Sequence, residues 1–578
     1  MVSPLKLKRE TVGKVSIAVT NPYLEVLVDT GVFHLDQPYE YVLPEKLKVE
    51  VGDWVSVPFN SRNCLGLVIE RYSKSRNIAA KSKSLPVNKK VKGARIAARQ
   101  LEFYRAVAAR WSVPIFDVLR FVSKESIAEI PESSISKKHS YQAERTYVQF
   151  RPDMDETNQL ILKLKEIAKT GSTLVIVPEA RLATRLASPE YQVGSRGSVL
   201  TAQSFKNLVV VREESGHHFE LKSPGFNTRD VALLRNEYFN ENLFFLGFSP
   251  SLEMTRLINI GYVKFQGKAV EAGAIKVHAE RSLTGELIPS ALIKPLRQYL
   301  SRDPLLVLVP AKGYGLAISC ANCRNIAKCS CGGKLTKKSR AEDPTCTICH
   351  SMYPDWKCAF CQKGRIYLLG RGIERISEEF GRTFPNTEIH ISTQEKEIEG
   401  KIGKRSIVLA TLGSVPNLKY SAVLFLDGLA LGADLRSEER YLALLMKYTA
   451  AANGNALLVE RPENPVVASL IRWKPLPYLE KICTELQKAE LPPFYRHATF
   501  ADCDSESDRI YAGLKSAIRE GRIPIRSQIY QLENGRISLF FPIKEGQKCT
   551  KFLYEFQKRR SISGKRILKL RIDSYNLS

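Results

Sequence analysis

Cys320-Ala-Asn-Cys323, Cys329-Ser-Cys331, Cys346-Thr-Ile-Cys349 and Cys358-Ala-Phe-Cys361 stand within 42 residues and hold eight of the twelve cysteines of the chain. A Cys-x-x-Cys step puts two thiolates on one turn at a separation that suits tetrahedral zinc, so four pairs supply ligands for two ions. The intervening segment is polar and Gly-rich (Cys331-Gly332-Gly333) and too poor in apolar residues to fold without a metal. Disulfides are the competing reading; in a reducing compartment the thiols stay free, which favours zinc. One pair has a single intervening residue, Cys329-Ser-Cys331, so ligation by Cys331 stays open. His350, beside the third pair, is either a substitute ligand or a surface residue.

Outward from the cysteines, the pattern is that of an α/β region. Apolar runs at 305–309, 388–391, 406–409 and 422–426 read as buried strands separated by helical stretches. This is the signature of a parallel sheet covered by helices, with the cysteine segment inserted into it. A second such region precedes it, with a helix at 160–168 and strands at 173–177, 208–211 and 243–246. Further upstream, short β-rich runs at 15–19, 23–28, 39–43 and 54–58, punctuated by Pro, Gly and Asp, read as a small all-β module. Residues 94–122 then show helical spacing (Ile96, Leu101, Tyr104, Val107, Ala108, Trp111) followed by a second apolar stretch at 115–122.

At 578 residues the chain exceeds one core and divides into roughly three to five domains. Its 87 Lys+Arg against 60 Asp+Glu give a net charge of +27, which argues for a polyanionic partner, nucleic acid ahead of a membrane surface. A generally basic, solubilising surface is the plain alternative. No apolar run reaches the ~18 residues that span a bilayer, and no secretory h-region is read near Met1, so a soluble cytoplasmic protein, nucleoid-associated, is expected. Between 71 and 100 there is no acidic residue while Arg71, Lys74, Arg76, Lys89, Lys90 and Arg95 are basic, which reads as a solvated linker able to track phosphates. A second basic stretch runs from Lys551 to Arg571. Trp111 and Trp473 are expected in cores, and His217-His218 as a surface pair.

Several motifs carry a resemblance: Pro38-Tyr-Glu-Tyr-Val-Leu-Pro-Glu45, Gly52-Asp-Trp-Val-Ser-Val-Pro-Phe59, the order of the cysteine pairs, Gly370-Arg-Gly-Ile-Glu-Arg-Ile-Ser-Glu-Glu-Phe380, Asp434-Leu-Arg-Ser-Glu-Glu-Arg440 and Leu491-Pro-Pro-Phe494. Together they resemble the family of primosomal protein N-prime, the PriA replication-restart helicases, over almost the whole chain. The resemblance implies a multidomain α/β architecture. Its parts are an all-β module binding a DNA 3′ end (1–75), a basic linker with a small winged-helix-like module (76–145) and a RecA-like helicase lobe (146–265). A second lobe (266–315 and 365–462) carries the two-zinc insertion (316–364), and a C-terminal α+β domain follows (463–578). It also implies nested coordination, with Cys320, Cys323, Cys358 and Cys361 on one zinc and Cys329, Cys331, Cys346 and Cys349 on the other. Tyr39, Glu40 and Asn60 fall on the positions that line the 3′-terminal nucleotide pocket, with Glu40 in place of the usual Asp and Asn60 in place of the usual Gly.

The motor elements of that family do not match. A P-loop needs Gly-x-x-x-x-Gly-Lys-Ser/Thr, and no Gly-Lys in the chain is followed by Ser or Thr. At the corresponding place stands Arg151-Pro-Asp-Met-Asp-Glu-Thr157, whose three acids repel a triphosphate. The strand that should end in Asp-Glu-Glu-His ends in Arg212-Glu-Glu-Ser215, and a cation opposes Mg²⁺ there. Gly247-Phe-Ser-Pro-Ser251 departs from the Ser-Ala-Thr-Pro box, and Lys447-Tyr-Thr-Ala-Ala-Ala-Asn-Gly454 replaces the arginine motif. Two zinc ions are therefore expected, and ATP and magnesium are not. The expected partners are forked or branched DNA, single-stranded DNA, other primosome proteins and the replicative helicase or its loader. The competing readings are an active ATP-dependent 3′-to-5′ DNA helicase and a zinc-ribbon nucleic-acid-binding protein outside replication.

Overall fold

The computed structural model describes residues 20–575 except 77–83, 94, 123–142, 269, 272, 282–285, 310–316, 324, 330–334, 338–341, 347–350, 370–372, 394, 397, 399–401, 427–434, 504–505 and 533–534. The protein is a mixed α/β multidomain chain that forms two compact units. One is drawn from the described residues of Met1–Arg145, Glu166–Phe245 and Leu486–Ser578, the other from Thr146–Lys165 and Leu246–Glu485. Among the described residues no helix is long and apolar enough to cross a membrane.

The first unit begins with β1 (Tyr23–Val28), β2 (Pro38–Val42), β3 (Trp54–Phe59), β4 (Arg62–Tyr72) and β5 (Lys89–Val91), an antiparallel sheet in the order β2-β1-β4-β3-β5. Alternation decides which face is apolar: Leu24, Val26 and Val28 on β1, Tyr41 on β2, Val55 and Val57 on β3 and Val68 on β4 meet in one core. The β3–β4 hairpin closes through Asn60-Ser61, both at positive φ (46° and 61°), the two-residue turn whose twist matches the flanking strands. The basic stretch after β4 is not all solvated linker: Lys89–Val91 add an edge strand, and Asp53 takes Lys90 at 2.7 Å and Arg95 at 3.1 Å.

Next come α1 (Ala98–Trp111) and α2 (Ile115–Val122). Gln100 reaches back to accept the N–H of Ala97 at 2.7 Å, and Phe103, Tyr104, Val107, Ala108 and Trp111 form the buried stripe of α1 at helical spacing. Parallel strands Asn207–Val211, Thr173–Ile176 and Gln192–Gly194 lie side by side in the same unit. Its C-terminal part is an antiparallel sheet ordered Gln528–Gln531, Ile537–Pro542, Tyr495–Ala501, Lys569–Ile572, with helices Ser507–Arg519 and Gly546–Ile562. That last helix ties the end of the chain to its beginning: Tyr554 donates to Asp36 at 2.7 Å and its ring lies 5.0 Å from Phe33. Much of the C-terminal basic stretch is spent internally, since Glu506 takes both Arg560 and Lys565 at 2.8 Å and Arg571 donates to the Leu221 carbonyl.

Of the two adjacent histidines, only His217 is exposed; His218 is fully buried, with Nε2 donating to the Val211 carbonyl at 2.8 Å. His497 is buried against Phe540, centroids 4.5 Å apart. Burial pushes both imidazoles down to about 4. A group whose folded pKa lies below its unfolded value binds protons more readily when unfolded, so its contribution is intact above pH ~6.5 and declines as pH falls toward 4. The melting temperature of the first unit should therefore drop across this window, by the equivalent of roughly 3 kcal/mol per histidine. His497→Phe should remove about half of the slope, and an unchanged slope in that variant together with His218→Gln would refute the assignment.

The second unit is built on a six-stranded parallel sheet ordered Lys276–Ala279, Asn455–Leu458, Ala422–Phe425, Leu305–Val309, Ser406–Thr411, Glu388–Ser392. Leu305–Val309 is buried at every residue, and helices Ser290–Leu300 and Ile373–Thr383 cover its core through Leu292, Leu296, Ile376 and Phe380. The cysteine segment leaves the sheet after Leu305–Val309 and returns through Ile366–Leu369, which pairs antiparallel with Ala317–Cys320.

Candidate nucleic-acid interface and metal centre

On β2, Tyr39 and Glu40 leave by opposite faces. The Tyr39 ring packs edge-on against Phe59, centroids 4.9 Å apart, and Phe59 leads into the exposed Asn60-Ser61 turn. The Tyr39–Phe59 contact thus brings the turn that carries Asn60 close to β2. Glu40 is turned the other way, into a cradle of four donors. Its Oε2 accepts from the Tyr72 hydroxyl at 3.0 Å and the Arg76 N–H at 2.8 Å. Its Oε1 accepts from Ser75 at 2.7 Å and Ser84 at 2.6 Å. Partial burial alone would raise its pKa, but the Ser84 and Ser75 hydroxyls, the Arg76 N–H and Tyr72 outweigh it and hold the carboxyl below its usual range. Nothing in the residue pattern announces this cradle, because three of the four donors come from the polar stretch after β4.

In the metal centre, Cys320, Cys323, Cys358 and Cys361 converge with their sulfurs all within 4.8 Å of one another. Cys320 and Cys361 are 3.3 Å apart and Cys323 and Cys358 3.5 Å, far beyond a disulfide bond and close to the ~3.8 Å edge of a ZnS₄ tetrahedron with ~2.3 Å bonds. The four residues fit a zinc ion. The backbone N–H of Asn325 and then its side-chain amide, 3.4 Å from the sulfur, pull the Cys323 thiol down to about 6, which favours the thiolate that a metal needs. Backbone geometry supplies such donors elsewhere in the cluster too: the N–H groups of Cys323 and Asn322 turn toward the Cys320 sulfur, and that of Lys363 toward Cys361. Of the other four cysteines, Cys329 and Cys346 are buried in the same small core, and Tyr353 donates to the Cys329 sulfur at 2.9 Å. Cys331, Cys349 and His350 lie outside the described residues.

The positions where a nucleotide motor would do its chemistry are filled by contacts within the chain. In the second unit, Arg151 is paired with Asp153, and the Gln159 amide closes the loop by accepting the Arg151 N–H at 2.6 Å and donating to the Arg151 carbonyl at 2.9 Å. The Arg151 backbone amide is thereby occupied, and Asp155 takes the Asn158 N–H at 3.0 Å. Glu156, at the start of helix Glu156–Ala168, lies 3.5 Å from Lys447. Arg436 bridges Glu253 at 2.9 Å and Glu439 at 3.0 Å, and Glu439 also accepts the Leu252 N–H at 2.7 Å. In the first unit, Arg212 has left-handed backbone (φ 51°) and pairs with Glu179 at 3.2 Å. Glu213 is fully buried on Arg229 at 3.1 Å.

A family model described as the 3′DNA-binding domain (3′BD) of PriA matches residues 25–123. The chain is similar to the probable replication restart protein PriA of Mycobacterium tuberculosis, 28% identical over 385 residues, which cover 61% of this chain and 59% of that protein. It is also similar to the replication restart protein PriA of Rickettsia conorii, 22% identical over 579 residues, covering 83% and 88%. With the protein of the same name in Haemophilus influenzae it shares 23% over 335 residues, 52% of this chain and 46% of that one. The chain thus spans about 59% of the length of the mycobacterial relatives it matches.

Proposed function

We propose that the chain, which is similar to replication restart proteins PriA and carries a match to their 3′DNA-binding domain, is a member of that family that binds abandoned or stalled replication forks and promotes primosome assembly and reloading of the replicative helicase, without helicase activity of its own. The observation that carries the reading is a contrast inside one molecule. The sheet that matches the 3′DNA-binding domain keeps its core and its Tyr39–Phe59 edge, whereas the residues at the motor positions are consumed by ion pairs and side-chain caps. Gripping a fork needs phosphate contacts and a site for a strand end, neither of which requires hydrolysis.

In this reading Tyr39, Glu40 and Asn60 line the 3′-end pocket around β2, the last strand of its sheet, with Tyr39 and Asn60 on one face and Glu40 on the other. The four donors on Glu40 already match the lone pairs of a carboxylate, so a terminal hydroxyl reaches it by exchanging with Ser75 or Ser84. Two zinc ions sit in the insertion, one on Cys320, Cys323, Cys358 and Cys361 and the other on Cys329, Cys331, Cys346 and Cys349. The helicase-like lobes, 146–265 and 266–315 with 365–462, serve as a DNA-binding frame. The partners are forked or branched DNA, single-stranded DNA, other primosome proteins and the replicative helicase or its loader.

Two measurements test this. Titration of labelled forked DNA against linear duplex should show a preference for the fork of at least about ten-fold, weakened by Tyr39→Ala; equal affinity would remove the reading. ATP hydrolysis with forked DNA present should stay at the no-enzyme level, and turnover abolished by Glu213→Gln would establish the active helicase instead.

A further inference from the structure

We propose that the groove beside the cysteine knuckle Cys358–Cys361 is a stacking platform for single-stranded DNA. The inference rests on the fork-binding reading and assigns the unpaired strand to a specific surface. Phe360, between two of the cysteines that fit the metal, is 74% exposed, and it takes no part in the small core of the module. Met352, 67% exposed, and Ile326, 42% exposed, reach the same groove from two other loops, and the nearly buried Trp356 lines it too, around a volume of about 1000 Å³. Three apolar side chains from separate loops, converging in water on a module too small to spare any, need an occupant. Lys328 and Lys357, both exposed, line the groove, with Asp355 as its one carboxylate among the described residues. The sequence from 316 to 364 carries eight Lys+Arg against three Asp+Glu.

Apolar faces flanked by cations match a strand whose bases present π-faces and whose backbone presents phosphates. Duplex DNA does not fit this chemistry, because its bases are stacked on one another and closed to Phe360. Anchoring through the metal would hold the ring rigid, so that little ordering entropy is lost on binding.

The test uses the full-length, zinc-loaded protein and a fluorescent oligothymidylate. Phe360→Ala should weaken binding about ten-fold, equivalent to about 1.4 kcal/mol, with the zinc content and the affinity for linear duplex unchanged. Phe360→Trp should restore it. Lys357→Gln should reduce the slope of log affinity against log salt by about 0.7, the loss of one phosphate contact. Unchanged affinity in both Phe360→Ala and Lys357→Gln overturns the proposal and leaves the groove to a protein partner, as does a wild-type chain that ignores oligothymidylate. The fork-binding reading fails separately, through a wild-type protein that does not prefer forks to duplex.

Discussion

Removing the metal by chelation is expected to unfold the described part of residues 317–366 while leaving the parallel sheet from which they project intact. Among the described residues the module's core holds eight buried side chains, and four of them are cysteines (Cys320, Cys329, Cys346, Cys358). What remains is Ile318, Ala327, Leu335 and Trp356, side chains worth about 1.5–3 kcal/mol each at best when fully buried. Ordering backbone costs about 1–2 kcal/mol per residue, which those four cannot offset over a segment of this length. Binding of structural zinc contributes roughly 10–16 kcal/mol in small metal-dependent modules, and that term closes the gap. Hydrogen exchange should show amides of 317–366 losing protection in chelator while Leu305–Val309 and Ser406–Thr411 keep theirs. Cys358→Ser should reduce a two-ion zinc count by one and expose the same segment. Protection that survives a metal-free preparation would mean that the module folds on packing alone.

The strands of both α/β regions were legible because a buried parallel strand has a short apolar run as its signature, and Leu305–Val309, Ser406–Thr411, Ala422–Phe425 and Asn207–Val211 appear where those runs stand. The cysteine cluster was legible for a different reason: spacing within each pair is local, and local geometry is what a sequence displays. Strand β4 escaped notice since Arg62–Tyr72 mixes Arg, Asn, Gly and Glu into its alternation, and one of its two partners, β1, lies well upstream in the chain. The fate of charges was hidden as well. Lys89–Val91 reads as a solvated basic run, yet Asp53 is what decides that Lys90 and Arg95 fold against the sheet. His218 has the same composition as its exposed neighbour, and only the Val211 carbonyl distinguishes them.

The motor positions repeat this lesson in reverse. The absence of Gly-Lys-Ser/Thr is visible in the sequence, but the partners of the residues that stand there are not, because Glu156 and Lys447 are separated by almost 300 positions and meet only in the folded second unit. Loss of a phosphate cradle by itself would leave cations and acids exposed. Arg151 with Asp153, Lys447 with Glu156 and Arg436 with Glu253 and Glu439 show instead that opposite charges have been matched to each other. Surface members of such a set contribute about 0–1 kcal/mol each. The Arg436–Glu439 contact, with Glu439 fully buried, is of another kind, since either partner left alone would be a charge without solvent.

Arg235→Ala should be the most destabilising single substitution among the ion-paired residues of the first unit, lowering stability by about 3–5 kcal/mol. Its guanidinium is fully buried on helix Thr228–Phe239 and donates to Glu241 at 2.9 and 2.6 Å. It also donates to the carbonyls of Val199 at 3.2 Å, Thr201 at 2.7 Å and Gln203 at 2.8 Å, which pins the loop before strand Asn207–Val211. Truncation would leave Glu241 as a buried anion without its cation and three carbonyls without donors. Glu241 keeps only the Phe205 N–H at 3.0 Å. Arg235→Lys should recover little, because one ammonium cannot reproduce a planar fork aimed in four directions. Pairing Arg235→Met with Glu241→Leu removes the stranded charge and should recover part of the loss, but the carbonyls of Val199, Thr201 and Gln203 still lack partners. Thermal unfolding of the three variants, with hydrogen exchange across 196–245, separates the charge penalty from the hydrogen-bond penalty. A stability for Arg235→Ala within about 1 kcal/mol of wild type, in the range of an exposed pair, would show that water reaches this site and that the burial argument fails.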